Sequence, residues 1–212
     1  NLVRQAEGLD VEIVVAEDGT TDATALAANS AIEGMPQCRY MPFKENRGRA
    51  AIRNILAHEA RGERLLFLDD DVMPADEDFL KRYMECDAPV VAGGVMAAKD
   101  NRSDSLRWLY DKAAEKHMGA EQRQRAPHRH FSTANFAVKR DLFLGIRFNE
   151  DITEYGYEDA LFGIELQQRG VTVHHINAAV FHNVLDPNPL FLKKTEQALR
   201  TLHSLPQMQP YA

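Results

Sequence analysis

The feature that most constrains this chain is an alternation of short apolar runs with helix-length stretches, in which two apolar runs end on carboxylates. Val11–Ala16 (VEIVVA) is rich in β-branched side chains and predicts a buried strand. Asp18-Gly19-Thr20-Thr21-Asp22 is turn and helix-start chemistry, and Ala23–Ala31 is helix-prone. Arg39–Pro42 is a second, weaker strand. Arg49–Arg61 predicts a helix with Ile52, Ile55 and Leu56 at helical spacing, and Arg64–Leu68 (RLLFL) a third strand. This order predicts an α/β fold with a mostly parallel central sheet flanked by helices. Ligands of such sheets bind at the carboxyl ends of the strands, which singles out Glu17-Asp18 and Asp69-Asp70-Asp71.

The second half predicts a helix over Glu77–Met84, a strand over Pro89–Met96 and a longer helix over Ser103–Met118. Glu121–His130 (EQRQRAPHRH), basic and broken by Pro127, reads as a mobile surface loop, a candidate lid over a bound ligand. Phe136–Val138 is a short strand, Glu158–Gln168 a helix, and Val171–Ile176 with Ala179–Phe181 a further strand or pair. An amphipathic helix, Leu190–Leu202, closes the chain. Asn1–Gly8 reads as the tail of a helix, whereas a doubly wound sheet opens with its own strand. The pattern therefore predicts a first strand missing from before residue 1.

Composition excludes several classes. The net charge of −7 opposes general binding to nucleic acid, whose main attraction requires positive charge. No apolar run approaches the roughly 18–20 residues of a membrane span, and the start is no signal peptide. Cys38 and Cys86 lack paired spacing, so neither a disulfide framework nor a zinc cluster is indicated, and a cytoplasmic setting is the simplest.

Three adjacent aspartates after an apolar strand repel one another and suit a hard divalent cation such as Mg²⁺ or Mn²⁺, or a solvated acidic turn. In Tyr155-Gly156-Tyr157-Glu158-Asp159 the two carboxylates fall in the first turn of a helix, where the macrodipole favours them. A Gly loop there could equally present one of them as a general base. His182 closes an apolar stretch and is a structural hydrogen-bonding group or a nitrogen ligand beside the aspartates. His174 and His175 alternate faces and read as structural. Asn46-Arg47-Gly48-Arg49 opens a helix and could accept phosphate, but it matches no Walker loop or GxGxxG fingerprint.

EIVVAEDGTTDAT, NRGRAAIRN, GERLLFLDDDVMP, NFAVKRDLF…FNE…YGYEDALFGIEL and a closing histidine, in this order, resemble the family-two glycosyltransferases over roughly Leu9 to His182. The resemblance implies a GT-A fold and an inverting hexosyl transfer from a nucleotide-sugar donor, a UDP-sugar, to a hydroxyl of a saccharide or lipid-linked acceptor. It implies a transferase domain over 1–185, with a nucleotide-binding half (1–97) and an acceptor-side half (98–185), followed by a helical tail (186–212). It matches Asp18 to the acidic residue on uracil, with Glu17 where another Asp is usual, and sets Gly48 and Arg49 against the nucleotide. Asp69, Asp70 and Asp71 match the Asp-X-Asp motif. There Asp69 touches ribose and helps hold the metal, Asp70 is the variable middle residue, and Asp71 holds Mn²⁺ or Mg²⁺. Val72 replaces a frequent fourth acidic residue. Glu158-Asp159 match the Glu-Asp motif, whose Asp is the base, and His182 completes the metal site.

Two other classes stand beside this one: a metal-dependent nucleotide phosphohydrolase using the same aspartates, and a non-catalytic nucleotide-binding module. The closing helix leaves three roles open: docking on the domain, pairing with another subunit as a homo-oligomer, or peripheral association with the cytoplasmic face of a membrane.

Overall fold

The structure is a computed structural model, described for residues 1–212 except 101, 117, 152–155 and 206–212. A short helix α1 (Leu2–Ala6) leads into strand β1 (Ile13–Asp18), helix α2 (Ala23–Ser30) and a single 3₁₀ turn. Strand β2 (Cys38–Phe43), helix α3 (Arg49–Glu59) and strand β3 (Arg64–Leu68) complete the predicted alternation. Strand β4 (Val72–Pro74), helix α4 (Phe79–Met84), strands β5 (Val90–Ala92) and β6 (Val95–Met96), and helices α5 (Leu106–Glu115) and α6 (Ala120–Gln124) follow. Strand β7 (Asn135–Lys139), helices α7 (Arg140–Ile146) and α8 (Glu158–Gln168), strands β8 (Val173–His175) and β9 (Val180–His182) and helix α9 (Asn188–Ser204) close the fold.

The expectation of one mostly parallel sheet is corrected. The strands form a parallel pair β1-β2, a four-stranded sheet β3-β7-β5-β8 and a three-stranded sheet β4-β9-β6. In the four-stranded sheet β7 runs antiparallel to both β3 and β5, and only β5-β8 is parallel. Two local causes are visible. The stretch Pro89–Met96 is not one strand, because Gly93 and Gly94 divide it between two sheets. A Cβ on Gly93 would stand 2.1 Å from the Ala178 carbonyl oxygen, and Gly94 has φ +109°. Strand β4, too short and proline-ended to show in the sequence, pairs with β9 and carries the segment after the aspartates into the third sheet. Among the described residues β1 pairs only with β2, and β3 only with β7.

Side chains alternate across β7, so Phe136 and Val138 enter one core and Ala137 the other. The larger core is aromatic. Phe148 and Phe162 stand 4.7 Å apart between ring centroids, and Phe67 stacks on Phe136 at 4.9 Å. Burial of each such ring contributes about 1.5–3 kcal/mol. Helix α3 meets this core through Ala50 and Ala57, with Arg53 and Asn54 buried beside them, while Ile52, Ile55 and Leu56 are only half-buried. The small alanines let the helix approach closely, which carries two polar side chains inward.

The stretch expected to be a mobile surface loop is fastened instead. Gln124 donates to the Val173 carbonyl (3.1 Å) and accepts from the His175 amide (2.7 Å), satisfying the edge of β8 as a neighbouring strand would. His128 Nε2 lies 2.7 Å from the Val171 carbonyl, and Arg123 is buried. The C-terminal helix α9 docks on α5. Asn188 accepts from the Leu106 amide and donates to the Asp104 carbonyl, and Phe191 lies 6.1 Å from Tyr110. Among the described residues no helix is long and apolar enough to cross a membrane.

Candidate active site

The fold gathers the acidic motifs around the carboxyl end of β3. Asp69 leaves the strand with its amide on the Ala134 carbonyl and turns its carboxylate to α3, where Arg53 Nη2 donates to Oδ1 over 2.6 Å. Arg53 reaches further: its Nη1 lies 3.6 Å from Glu158 Oε1 at the start of α8. Arg49, one helical turn earlier, approaches the same Glu158 oxygen at 3.1 Å. Two motifs separated by almost half the chain thus share one guanidinium. Asn54 reinforces the junction by donating to the Phe148 carbonyl and Glu150 and accepting from the Phe148 amide.

Helix α8 begins abruptly. Gly156 has φ +101° and Tyr157, its N-cap, has φ +67°, a left-handed conformation that costs a non-glycine residue about 1 kcal/mol or more. A Cβ on Gly156 would come within 3.0 Å of Ala198 on α9, so glycine permits both the turn and the close approach of that helix. Tyr155 of the same motif lies outside the described residues. The sharp turn sets Glu158 and Asp159 in the first helical turn. Removal from water, reinforced by the charge of Glu158, raises the Asp159 carboxyl to about 6, while the Ala160 amide and Arg53 act in the opposite sense.

A second cluster lies where β4 meets β9. Val72 pairs with His182, and the Asn183 amide donates to the Asp71 carbonyl, so Asp71 and His182 are neighbours. Asp71 Oδ1 is buried without a hydrogen-bond partner, and burial raises its carboxyl above the ordinary range against the pull of His182. Asp111 on α5, 2.9 Å from His182 Nδ1, fixes that ring, and Arg107 binds Asp111 through Nε while its Nη2 lies 3.2–3.3 Å from both ring nitrogens. The orphaned oxygen of Asp71 beside a ring whose Nδ1 is already engaged fits part of a divalent-cation site, with His182 Nε2 as the second donor. Among the described residues no three His, Cys, Asp or Glu side chains stand together closely enough to hold a metal. Asp69 turns its carboxylate to Arg53 instead. Asp70 is exposed at the turn between Asp69 and Asp71.

At the end of β1, Glu17 accepts from the Thr20 amide (3.0 Å) and from Asn29, so its carboxylate shapes the turn into α2. Asp18 accepts the Arg47 and Gly48 amides at 2.8 and 3.0 Å, and Asn46 donates to its carbonyl. Gly48, at φ +86°, is the N-cap of α3. The loop before α3 is thereby clamped onto β1, and Arg49 starts the helix one residue later.

Sequence reasoning did not identify Arg53, Arg107 or Asp111. Arg53 had a signal: it shares a helical face with Ala50, Asn54 and Ala57. Arg107 and Asp111 are one helical turn apart, a spacing that reads as an ordinary surface ion pair.

The sequence profile of Glycosyl transferase family 2 matches residues 1–146, which includes β1 to β7 and ends before α8. A curated relative, the "Uncharacterized glycosyltransferase YfnE" of Bacillus subtilis (strain 168), is 27% identical over 218 residues, covering 77% of this chain and 54% of the relative. Among solved structures the mannosyltransferase PcManGT of Pyrobaculum calidifontis, in complex with GDP-Man and Mn²⁺, aligns with a TM-score of 0.61 at 19% identity, over 89% of this chain and 52% of that one. S. aureus TarS 1-349 aligns with a TM-score of 0.57 at 17% identity, over 81% and 51%. The chain spans about half the length of each of these relatives.

Proposed function

Since the chain belongs to Glycosyl transferase family 2, we propose that it transfers a sugar from a nucleotide-diphosphate donor to an acceptor hydroxyl by a single inverting displacement. The observation that carries this reading is the Arg53 bridge from Asp69, at the carboxyl end of β3, to Glu158, the chain neighbour of Asp159. In the proposed reaction the bond between the anomeric carbon and the donor phosphate breaks as the acceptor oxygen attacks from the opposite face. Asp159 takes the proton of that hydroxyl. A carboxyl at about 6 is largely ionised at neutral pH and basic enough to accept it. Asp18, the Arg47–Arg49 loop and Asp69 would line the nucleotide side.

Asp71 and His182 would hold a divalent cation, and the structural neighbour PcManGT is in complex with Mn²⁺. When bound it would neutralise charge on the departing diphosphate. Asp111 keeps His182 oriented through Nδ1, and the Arg107 guanidinium, 3.3 Å from Nε2, would give way to the cation. The acceptor is proposed to be a saccharide or lipid-linked hydroxyl, approaching from the side of α8 and α9.

Calorimetric titration of UDP and of GDP, each with and without Mn²⁺, tests the donor site. Metal-dependent binding of one nucleotide that Asp71→Ala abolishes is the expected result, and the nucleotide that binds selects the donor series. Asp159→Asn should retain that binding and lose about 10²–10⁴-fold in turnover. Wild-type turnover by Asp159→Asn would remove the base from the proposal.

A further inference from the structure

Arg53 is an expensive choice for its position. Its side chain is 8% exposed, yet Nη1 makes no hydrogen bond within the protein. A guanidinium buried with one nitrogen unsatisfied forfeits part of its hydrogen bonding, although it lies over the Phe148 ring at 5.6 Å. Packing alone therefore does not account for it; the carboxylates it faces do. Its two contacts are unequal: 2.6 Å to Asp69 and 3.6 Å to Glu158.

We infer that Arg53 is a positioning residue, holding the donor-side carboxylate of Asp69 and the Glu158–Asp159 pair in one frame. This rests on the transfer reaction proposed above, because it assigns Arg53 the task of fixing the base relative to the bound donor. A planar fork with nitrogens facing different carboxylates can span the two elements, whereas the single ammonium of lysine reaches one of them. The neighbouring Asn54 grips the Phe148–Glu150 segment from the same helical turn, so α3 sets the acceptor-side segments by two adjacent side chains. Among the described groups, Asp159 is faced by Glu158 from its own helix, which opposes ionisation, and by Arg53 from α3, which favours it.

The test compares the full wild-type chain with Arg53→Met and Arg53→Lys. Carbon-detected magnetic resonance follows the Asp159 carboxyl through pH without ligand, and calorimetry measures UDP and GDP binding in Mg²⁺. Turnover is read as nucleoside diphosphate release. Arg53→Met should raise the Asp159 midpoint above the wild-type value and lower turnover by about 10- to 100-fold, beyond any loss of nucleotide affinity. Arg53→Lys keeps the charge and should hold the midpoint close to wild type without recovering turnover. An unmoved midpoint in Arg53→Met, or full recovery by Arg53→Lys, overturns the inference. If Arg53→Met does not fold, wild-type turnover by Arg53→Lys overturns it alone. If the wild-type chain turns over no nucleotide sugar, the transfer reading fails, and the Asp159 midpoints still decide whether Arg53 and Asp159 are coupled.

Discussion

Arg53 and Arg123 are buried to nearly the same degree, at 7% and 6% exposure, but they spend their hydrogen bonds on different chemistry. Arg123 donates to the carbonyls of Met118, Gly93 and Ile176 and to the His175 ring. These partners are neutral backbone groups or a neutral imidazole, fixed in place. Around them Asn135 donates to the Gly94 and Ala178 carbonyls and accepts from the Tyr83 hydroxyl, so the region is a closed polar knot. Arg53 instead faces Asp69 and Glu158, carboxylates whose charge a proton or a ligand can alter. The same side chain thus makes one region rigid by saturating neutral acceptors and makes another responsive by pairing with charges.

The sharpest test of that contrast is Arg123→Met, expected to cost about 3–5 kcal/mol because it strands buried carbonyls that water cannot reach. The cost should vary little between pH 6.5 and 8, above the ordinary range of His175, measured by urea denaturation. A loss below 1 kcal/mol would show that the knot relaxes or hydrates, and the contrast would fail. Arg53→Met should cost less, about 1–2 kcal/mol near pH 7, where it leaves Asp69, Glu158 and Asp159 repelling one another. Its cost should shrink as the pH falls below about 6 and Asp159 protonates. A pH-independent penalty would place Arg53 in the same category as Arg123.

The two regions also differed in how far the sequence disclosed them. Apolar runs ending on Asp18 and on Asp69–Asp71, and the carboxylates opening α8, are local patterns and were legible as such. The layout of the sheets was not. Separating β5 from β6 depends on Gly93 meeting the Ala178 carbonyl, a contact between distant residues, and β4 is three residues ending in proline. Arg123 was hidden by composition, since a stretch of Arg, Gln and His reads as solvated until the carbonyls that receive it are placed. Arg53 was hidden differently. The isoleucines at 52 and 55 suggest the wrong inward face for α3, because the alanines that pack most closely carry less hydrophobicity.

The smallest effect discriminates best, because the two regions carry pH dependences of opposite sign. Burial lowers His175, beside Arg123, to about 4 from an ordinary value of 6.5. Between these values the unfolded chain binds more protons than the folded one, so this group makes stability rise with pH. Asp159 is raised from 3.8 to about 6, so across that window the folded chain binds more protons and stability falls as pH rises. The contributions overlap from about pH 4 to 6 and oppose each other. Asp159→Asn removes only the falling one and retains a shape that can accept the Ala160 amide. Relative to wild type the variant should therefore gain stability progressively from pH 4 to 6, reaching ~1–3 kcal/mol above that. Thermal or urea denaturation at several pH values measures this difference. A constant offset would mean that Asp159 titrates like a solvated carboxylate and that the charged region is not held out of water. A rising difference would mean that Asp159 is kept out of water at a cost in stability near neutral pH, which the polar knot around Arg123 does not incur there.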